Sequence, residues 1–161
     1  MDFRRIARHL LRLPHALPAS ALQAIERAIA AGEASHGGEI RFAAEDALDA
    51  RAVLAGQSAR ERALDVFSDL RVWDTEENNG VLIYLLLADR DVEIVADRGI
   101  DAHVGEVEWE AICRGMEQGL RRGDVEGAVV GGVQAVSRLL ARHFPGRPGD
   151  RNELPDRPVT V

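Results

Sequence analysis

The stretch from Asn78 to Gly99, NNGVLIYLLLADRDVEIVADRG, limits what this chain can become more than any other. Val81 to Leu87 are seven consecutive apolar residues behind a turn-forming Asn-Asn-Gly, and a short run of this kind reads as a strand buried on both faces. Asp89-Arg90-Asp91 interrupts it, and from Val92 to Asp97 apolar and polar residues partly alternate. The two runs therefore read as a β-hairpin. With Asp89 and Arg90 as the turn, Ala88 faces Asp91 and paired residue numbers sum to about 179, with a slip of one for the loop type. Val81 then lies opposite Arg98 and Asn78 opposite Asp101, so the loop Asp74-Thr75-Glu76-Glu77-Asn78-Asn79 sits beside Asp97, Gly99 and Asp101. From Asp91 to Asp97 the strand rises about 20 Å, and the acids of the turn cannot share a site with those of the far end.

Around the hairpin the periodicity is helical. Phe3, Ile6, Leu10 and Leu13 form one stripe among Arg4, Arg5, Arg8 and Arg12, and Pro14 ends it: a short basic amphipathic helix that covers the domain's own core or meets a partner. Ser20 caps a second helix with Leu22, Ile25 and Ile29 inward, ending near Gly32. Glu39 to Ala44 alternates as a strand, and Ser58 with Glu61 makes a capping box for a third helix whose stripe is Leu64, Phe67 and Leu70. Trp73 then serves as a packing anchor. A fourth helix carries Trp109, Ile112, Cys113, Met116 and Leu120 on one face, with Cys113 a buried inert thiol. Asp124 caps a fifth, with Val129, Val133, Val136 and Leu140. Gly115, Gly119, Gly123, Gly127 and Gly131 recur every four residues. No strand leads into them as a nucleotide loop requires, so they read as a close approach of helix backbones. The expected fold is α/β: a small mixed β-sheet of three to four strands with a central antiparallel hairpin, sandwiched between α-helices, as a single domain over 1–144. The tail 145–161 has too little apolar content to fold and is expected to be disordered.

Charge narrows the function. The 27 acidic and 20 basic residues give −7, which argues against a general nucleic-acid binder. Residues 39–110 alone hold 18 acids against 7 arginines, while the segments on either side are each net +2. The chain has no lysine, which excludes a Schiff base, a pyridoxal phosphate link and a Walker lysine. Its single Cys113 excludes an intramolecular disulfide and a cysteine-based zinc site. No apolar run is long enough to span a bilayer, and Arg8 and Arg12 spoil the N-terminus as a secretory signal, so a cytoplasmic location is the simplest expectation.

The acidic end of the hairpin is the main candidate site. Asp74, Glu76, Glu77, Asn78, Asp97 and Asp101 offer oxygen ligands of the kind Ca²⁺ or Mg²⁺ requires, and without a cation they form a solvated acidic surface. The loop is not an EF-hand, because Asn79 stands where the turn glycine belongs and Leu85 where the bidentate Glu belongs. At the other end, an apolar strand followed by Asp89-Arg90-Asp91 is similar to the nucleophile motif of the haloacid dehalogenase phosphatases. Glu93 replaces the Thr or Val expected two places later, and the turn reading wins. The five histidines include no i, i+4 pair, and only His103 lies near the acidic end.

NNGVLIYLLLADRDVEIVADRGI, preceded by VFSDLRVWD, resembles the signature of the TPM domain family over about residues 20 to 144. The resemblance implies a sheet between helices, divalent cation binding in acidic loops, and a proposed phosphatase activity. Many members open with a short strand bearing Val and Asp and end in a transmembrane anchor; here RLPHALPASAL replaces that opening, as in a soluble, cytosolic branch. Two functions follow as expectations: a divalent-cation-binding accessory or interaction domain serving a protein partner or a membrane-associated complex, and a metal-assisted phosphatase acting on phosphate monoesters. No catalytic residue is assigned.

Overall fold

Gly80–Leu86 forms a strand in which every residue is buried, as its unbroken apolar run demands. The computed structural model describes residues 3–11 and 17–161. In chain order its elements are α1 (Phe3–Leu10), α2 (Ala19–Glu33), β1 (Glu39–Glu45), α3 (Ala50–Leu54), α4 (Ala59–Asp69), β2 (Gly80–Leu86), β3 (Asp91–Ala96), α5 (Arg98–Asp101), α6 (Glu106–Arg121), α7 (Val125–His143) and β4 (Val159–Thr160). The sheet order is β3-β2-β1-β4, with β1 parallel to β2 and to β4, and β2 antiparallel to β3. This is the expected mixed sheet.

The period-2 alternation of the strands divides the core in two. Val81, Ile83 and Leu85 join Ile40 and Phe42 beneath α2, α6 and α7, where Ile25, Ile29, Trp109, Met116 and Val133 pack. Leu82, Tyr84 and Leu86 face the other way, toward α3, α4 and Ile6 of α1. Tyr84 and Arg62 both donate to Glu45 Oε2, each at 2.8 Å, so the charge this face buries is paired.

The hairpin register differs from the expected one. Val81 pairs with Ala96 and Leu86 with Asp91, two places from the expected register, because the connection has four residues, Leu87 to Arg90. Arg90 N–H donates to the Leu87 carbonyl and Arg90 takes a left-handed φ of 53°. The amides of Leu87 and Ala88 donate to Glu45 and Asp46 on the β1 side, which draws these residues out of the β2–β3 ladder.

Helix boundaries follow the local signals more closely than the buried stripes do. The Ser58–Glu61 capping box and the Asp124 cap are both formed. Pro18, not Ser20, is the N-cap of α2. In α4 the buried residues are Ala59, Ala63 and Val66, while Leu64 is exposed: a small-residue face lies close to the sheet. α3, unread in the sequence, is a single capped turn and a half behind Asp49. Leu13 and Pro14, the expected end of the first helix, lie outside the described residues. The glycine stripe marks a close approach at Gly119, where a Cβ would stand 2.6 Å from Ala128 Cβ; Gly115 and Gly131 face open space.

The tail expected to be disordered is tied to the sheet. Glu39 accepts the amides of Glu153 and Leu154, and the Arg41 guanidinium donates to the carbonyls of Pro155 and Arg157. Val159–Thr160 then pairs with Ala43 and Ala44 as β4. Composition misses this because the fixing groups are polar side chains of β1 acting on backbone, not apolar residues in the tail.

Candidate functional site

The loop before β2 and the turn after β3 meet through their backbones. The Asn78 carbonyl accepts from the amides of Gly99, at 2.8 Å, and Ile100, at 3.3 Å, and Asn78 itself has a left-handed φ of 53°. A Cβ on Gly99 would lie 2.4 Å from the Glu77 carbonyl oxygen and 2.5 Å from that of Asn78, and one on Gly80 would lie 2.1 Å from the Val72 carbonyl oxygen. Only glycine permits such approaches. Asn79 is fully buried, and its Nδ2 donates to the Gly37 carbonyl. The residues that give the stretch its recognisable pattern are thus held by the packing of its backbone.

Asp97 caps α5: its Oδ1 accepts from the Arg98 amide at 2.7 Å, and its Oδ2 is buried with no hydrogen-bond partner. Asp101 stands one helical turn on, its amide donating to the Asp97 carbonyl. Asn78 Oδ1 accepts from Arg98 Nε at 3.2 Å. These three are the part of the expected ligand set that the fold brings to one junction.

The others are drawn elsewhere. Asp74 pairs with Arg71 at 3.0 Å and Glu77 with Arg147 at 2.9 Å, in both cases as exposed ion pairs. Glu76 and Glu77 line a cleft of about 500 Å³ beneath the C-terminal segment, opposite Arg147, Asp150 and Glu153. Among the described residues no three His, Cys, Asp or Glu side chains are grouped closely enough to hold a metal ion. His103 turns away from the acids to stack on His143, with ring centroids 5.1 Å apart. Trp73 is no packing anchor: it is half exposed under the Arg71 guanidinium.

At the hairpin tip, Asp89 holds α1 in place. Arg5 Nε lies 2.8 Å from its carboxylate, His9 Nε2 3.1 Å and Arg8 Nη2 3.3 Å. Burial would raise the Asp89 carboxyl, but the hydrogen bonds and charges of Arg5 and His9 overcome it and hold the group below its ordinary range. The resemblance to a phosphatase nucleophile thus ends in a structural anchor.

A larger cleft, about 710 Å³, runs between β3 and α6 and was not singled out in the sequence. Asp91, Glu93, Glu106, Glu110 and Glu117 line it with Asp101, alongside Arg60, Arg114, Trp109 and Cys113. The signal was present: acids at i and i+2 on a strand, and Glu106, Glu110 and Glu117 on one helical face. Burial and the Glu117 charge push the Asp91 carboxyl up; burial and Asp91 do the same for Glu93. Burial and the nearby carboxylates raise the Cys113 thiol to about 12, so it stays protonated and weakly nucleophilic.

The chain matches the TPM domain over residues 13–139. It superposes on the NMR structure of BA42 protein from the psychrophilic bacterium Bizionia argentinensis with a TM-score of 0.80 and 29% identity, covering 92% of this chain and 98% of that one. The N-terminal domain of a protein from P. gingivalis shares the fold at a TM-score of 0.64 and 18% identity, covering 83% of each chain. No curated protein matches the sequence. Among the described residues no helix is long and apolar enough to cross a membrane.

Proposed function

The chain belongs to the TPM domain family, and from that premise we propose that it is an accessory domain that binds a divalent cation, Ca²⁺ or Mg²⁺, at the junction of Asn78, Asp97 and Asp101. The observation that carries this reading is the buried, unpartnered Oδ2 of Asp97. A buried carboxylate oxygen without a donor costs free energy that a cation recovers. Asp97 and Asp101 would supply carboxylate oxygens, and Asn78 an amide oxygen released from Arg98. A hard cation takes about six to eight oxygens as Ca²⁺, so water completes the shell and the affinity belongs in the weak range of about 10⁻⁴ to 10⁻³ M. Glu77 and Asp74 are tied only by exposed ion pairs, of about 0–1 kcal/mol each, and are free to contribute.

Bound there, the ion would neutralise the acidic junction and brace the two loops against each other. The phosphatase reading has less support. Arg98 is turned to Asn78 and Arg71 to Asp74, so the nearest guanidiniums face protein groups instead of a place for phosphate.

Titration of the full chain with CaCl₂ and MgCl₂, followed by amide NMR shifts, tests the reading. Shifts should cluster on residues 74–79 and 97–101, and Asp97→Asn should weaken binding at least tenfold. Saturable shifts elsewhere, or an affinity untouched by Asp97→Asn, would refute it.

A further inference from the structure

The C-terminal segment closes over a cavity of about 250 Å³ at the end of α2, lined by Glu33, His36 and Glu39 of the domain and by Asp150, Arg151 and Asp156 of the segment. Most of the charged groups here are already held. Glu39 accepts the amides of Glu153 and Leu154, each at 3.0 Å, and Arg41 donates through Nη1 to the carbonyls of Pro155 and Arg157. Glu33 is different: its Oε1 accepts the Ile40 amide at 2.9 Å, while its Oε2 is buried with no donor. The side chain it meets is the carboxyl of Asp156, which Asn152 holds from within the segment. Two carboxylates bring only acceptors to such a meeting, so their contact needs a proton.

We propose that residues 150–161 form a strap latched by a proton that Glu33 and Asp156 share, and that rising pH removes this proton, releases the strap and bares the outer edge of β1. The strap is what covers that edge: Val159 and Thr160 pair with Ala43 and Ala44, and the Val161 amide donates to the Ala44 carbonyl at 3.0 Å. Without them β1 ends the sheet with unpaired backbone groups, a template for another strand. With the strap shut, burial and the charges of Glu39 and Asp156 push the Glu33 carboxyl up to about 9. With it open, Glu33 returns toward its ordinary value of about 4.3. Opening therefore releases a proton between about pH 4.3 and 9, so the shut form is fully favoured below this window and weakens as pH rises through it. Glu39, raised by burial against the two amides it accepts, acts with the same sign; His36, lowered by burial, acts with the opposite one. Arg41 attracts both Glu33 and Asp156, and Asp150 and Arg151 border the cavity with opposite charges. None of these groups belongs to the Asn78–Asp97–Asp101 junction, so the latch stands or falls apart from the cation site.

Hydrogen exchange of the full chain tests this, read at the amides of Leu154 and Val161 at pH 6 and pH 8 and corrected for the base-catalysed rate of an open chain. Because the opening is local, these amides should exchange faster than those of β2 at both pH values. Their opening should rise by about tenfold or more between the two, where a single proton with ordinary affinity in the open state permits at most about tenfold per pH unit. Glu33→Gln keeps an oxygen for the Ile40 amide and gives Asp156 an N–H donor that no change of pH removes, so its opening should differ by less than about threefold across the same range. Asp156→Asn offers the same donor from the strap's side and should flatten the dependence in the same way. Opening that does not change with pH in the unaltered chain would overturn the proposal. So would a dependence that survives Glu33→Gln, which would hand the proton to Glu39, or strap amides that exchange only at the rate of β2, which would mean that the segment never opens by itself.

Discussion

Replacing Asp89 with alanine should undock α1 while the rest of the domain stays folded. The helix has eight residues, too few to hold alone in water; its charged groups converge on one carboxylate whose side chain is 11% exposed, beside the bond from Arg5 to the Gln57 carbonyl and the packing of Ile6. His9 Nδ1 accepts the Leu48 amide at 3.0 Å, so the proton of the neutral ring sits on Nε2, 3.1 Å from Asp89. Removing the carboxylate leaves that buried N–H unpaired, at a cost of about 1–3 kcal/mol. Arg5 and Arg8 remain partly exposed, and their lost pairing adds about 0–1 kcal/mol each. A central sum of about 3 kcal/mol corresponds to a rise of roughly 150-fold in the population with α1 detached. Native-state hydrogen exchange reads this directly, as lost protection at the amides of Ala7 to Leu11, with the strands β1 and β2 as internal reference.

The pH dependence carries the same sign. Because the Asp89 carboxyl is held below its unfolded value, its contribution is complete above about pH 3.9 and fades as pH falls through the lower native value. Protection of α1 in the unaltered chain should therefore persist at pH 5. A change of less than about threefold in α1 exchange for Asp89→Ala, some 0.6 kcal/mol, would refute the assignment of Asp89 as the anchor.

Gly99→Ala should lower the melting temperature by roughly 5–15 °C, since its Cβ meets two backbone carbonyl oxygens that cannot yield; an unchanged thermal transition would mean the loop relaxes freely. Two glycines four residues apart in α6 should respond with opposite signs. Gly115→Ala faces open space and should stabilise by up to about 1 kcal/mol, whereas Gly119→Ala collides with Ala128 and should destabilise; urea midpoints that rise for both would remove the close helix approach. Burial, with added repulsion from Glu39 and Asp156, pushes the Glu33 carboxyl up to about 9 against the opposing Ile40 amide. Between about pH 4.3 and 9 the folded chain then holds a proton that the unfolded chain has released, so stability falls as pH rises. Glu33→Gln keeps an oxygen acceptor for the Ile40 amide and should flatten the slope of the urea midpoint between pH 5 and pH 9; a slope equal to that of the unaltered chain would refute it.

What could be read in advance is what depends on neighbours along the chain. The apolar run of β2, the Ser58–Glu61 box and the Val129–Leu140 stripe state their structures locally, and each formed where its pattern stood. The hairpin register slipped because a third strand intervenes: Glu45 and Asp46 take the amides of Leu87 and Ala88, and no pattern within the hairpin reveals that. The tail's attachment is hidden from the sequence for the same reason, since Glu39 and Arg41 reach it from more than a hundred residues away.

The candidate site divides along the same line. Six oxygen-bearing residues stand close in sequence, yet Arg147, distant in the chain, draws Glu77 toward the tail, and Asp101, at the junction, also borders the cleft between β3 and α6. The concentration of negative charge in residues 39–110 is thus spread over a loop junction, a cleft under the tail and a cleft along an edge strand, and its total cannot say which of them binds anything. Charge can be solvated wherever it is exposed, so an acidic run has a stable resting state without a ligand. A buried carboxylate oxygen with no partner has none: Asp97 Oδ2 is such an atom, and it marks the junction as the part of that acidity where an arriving cation has something to gain.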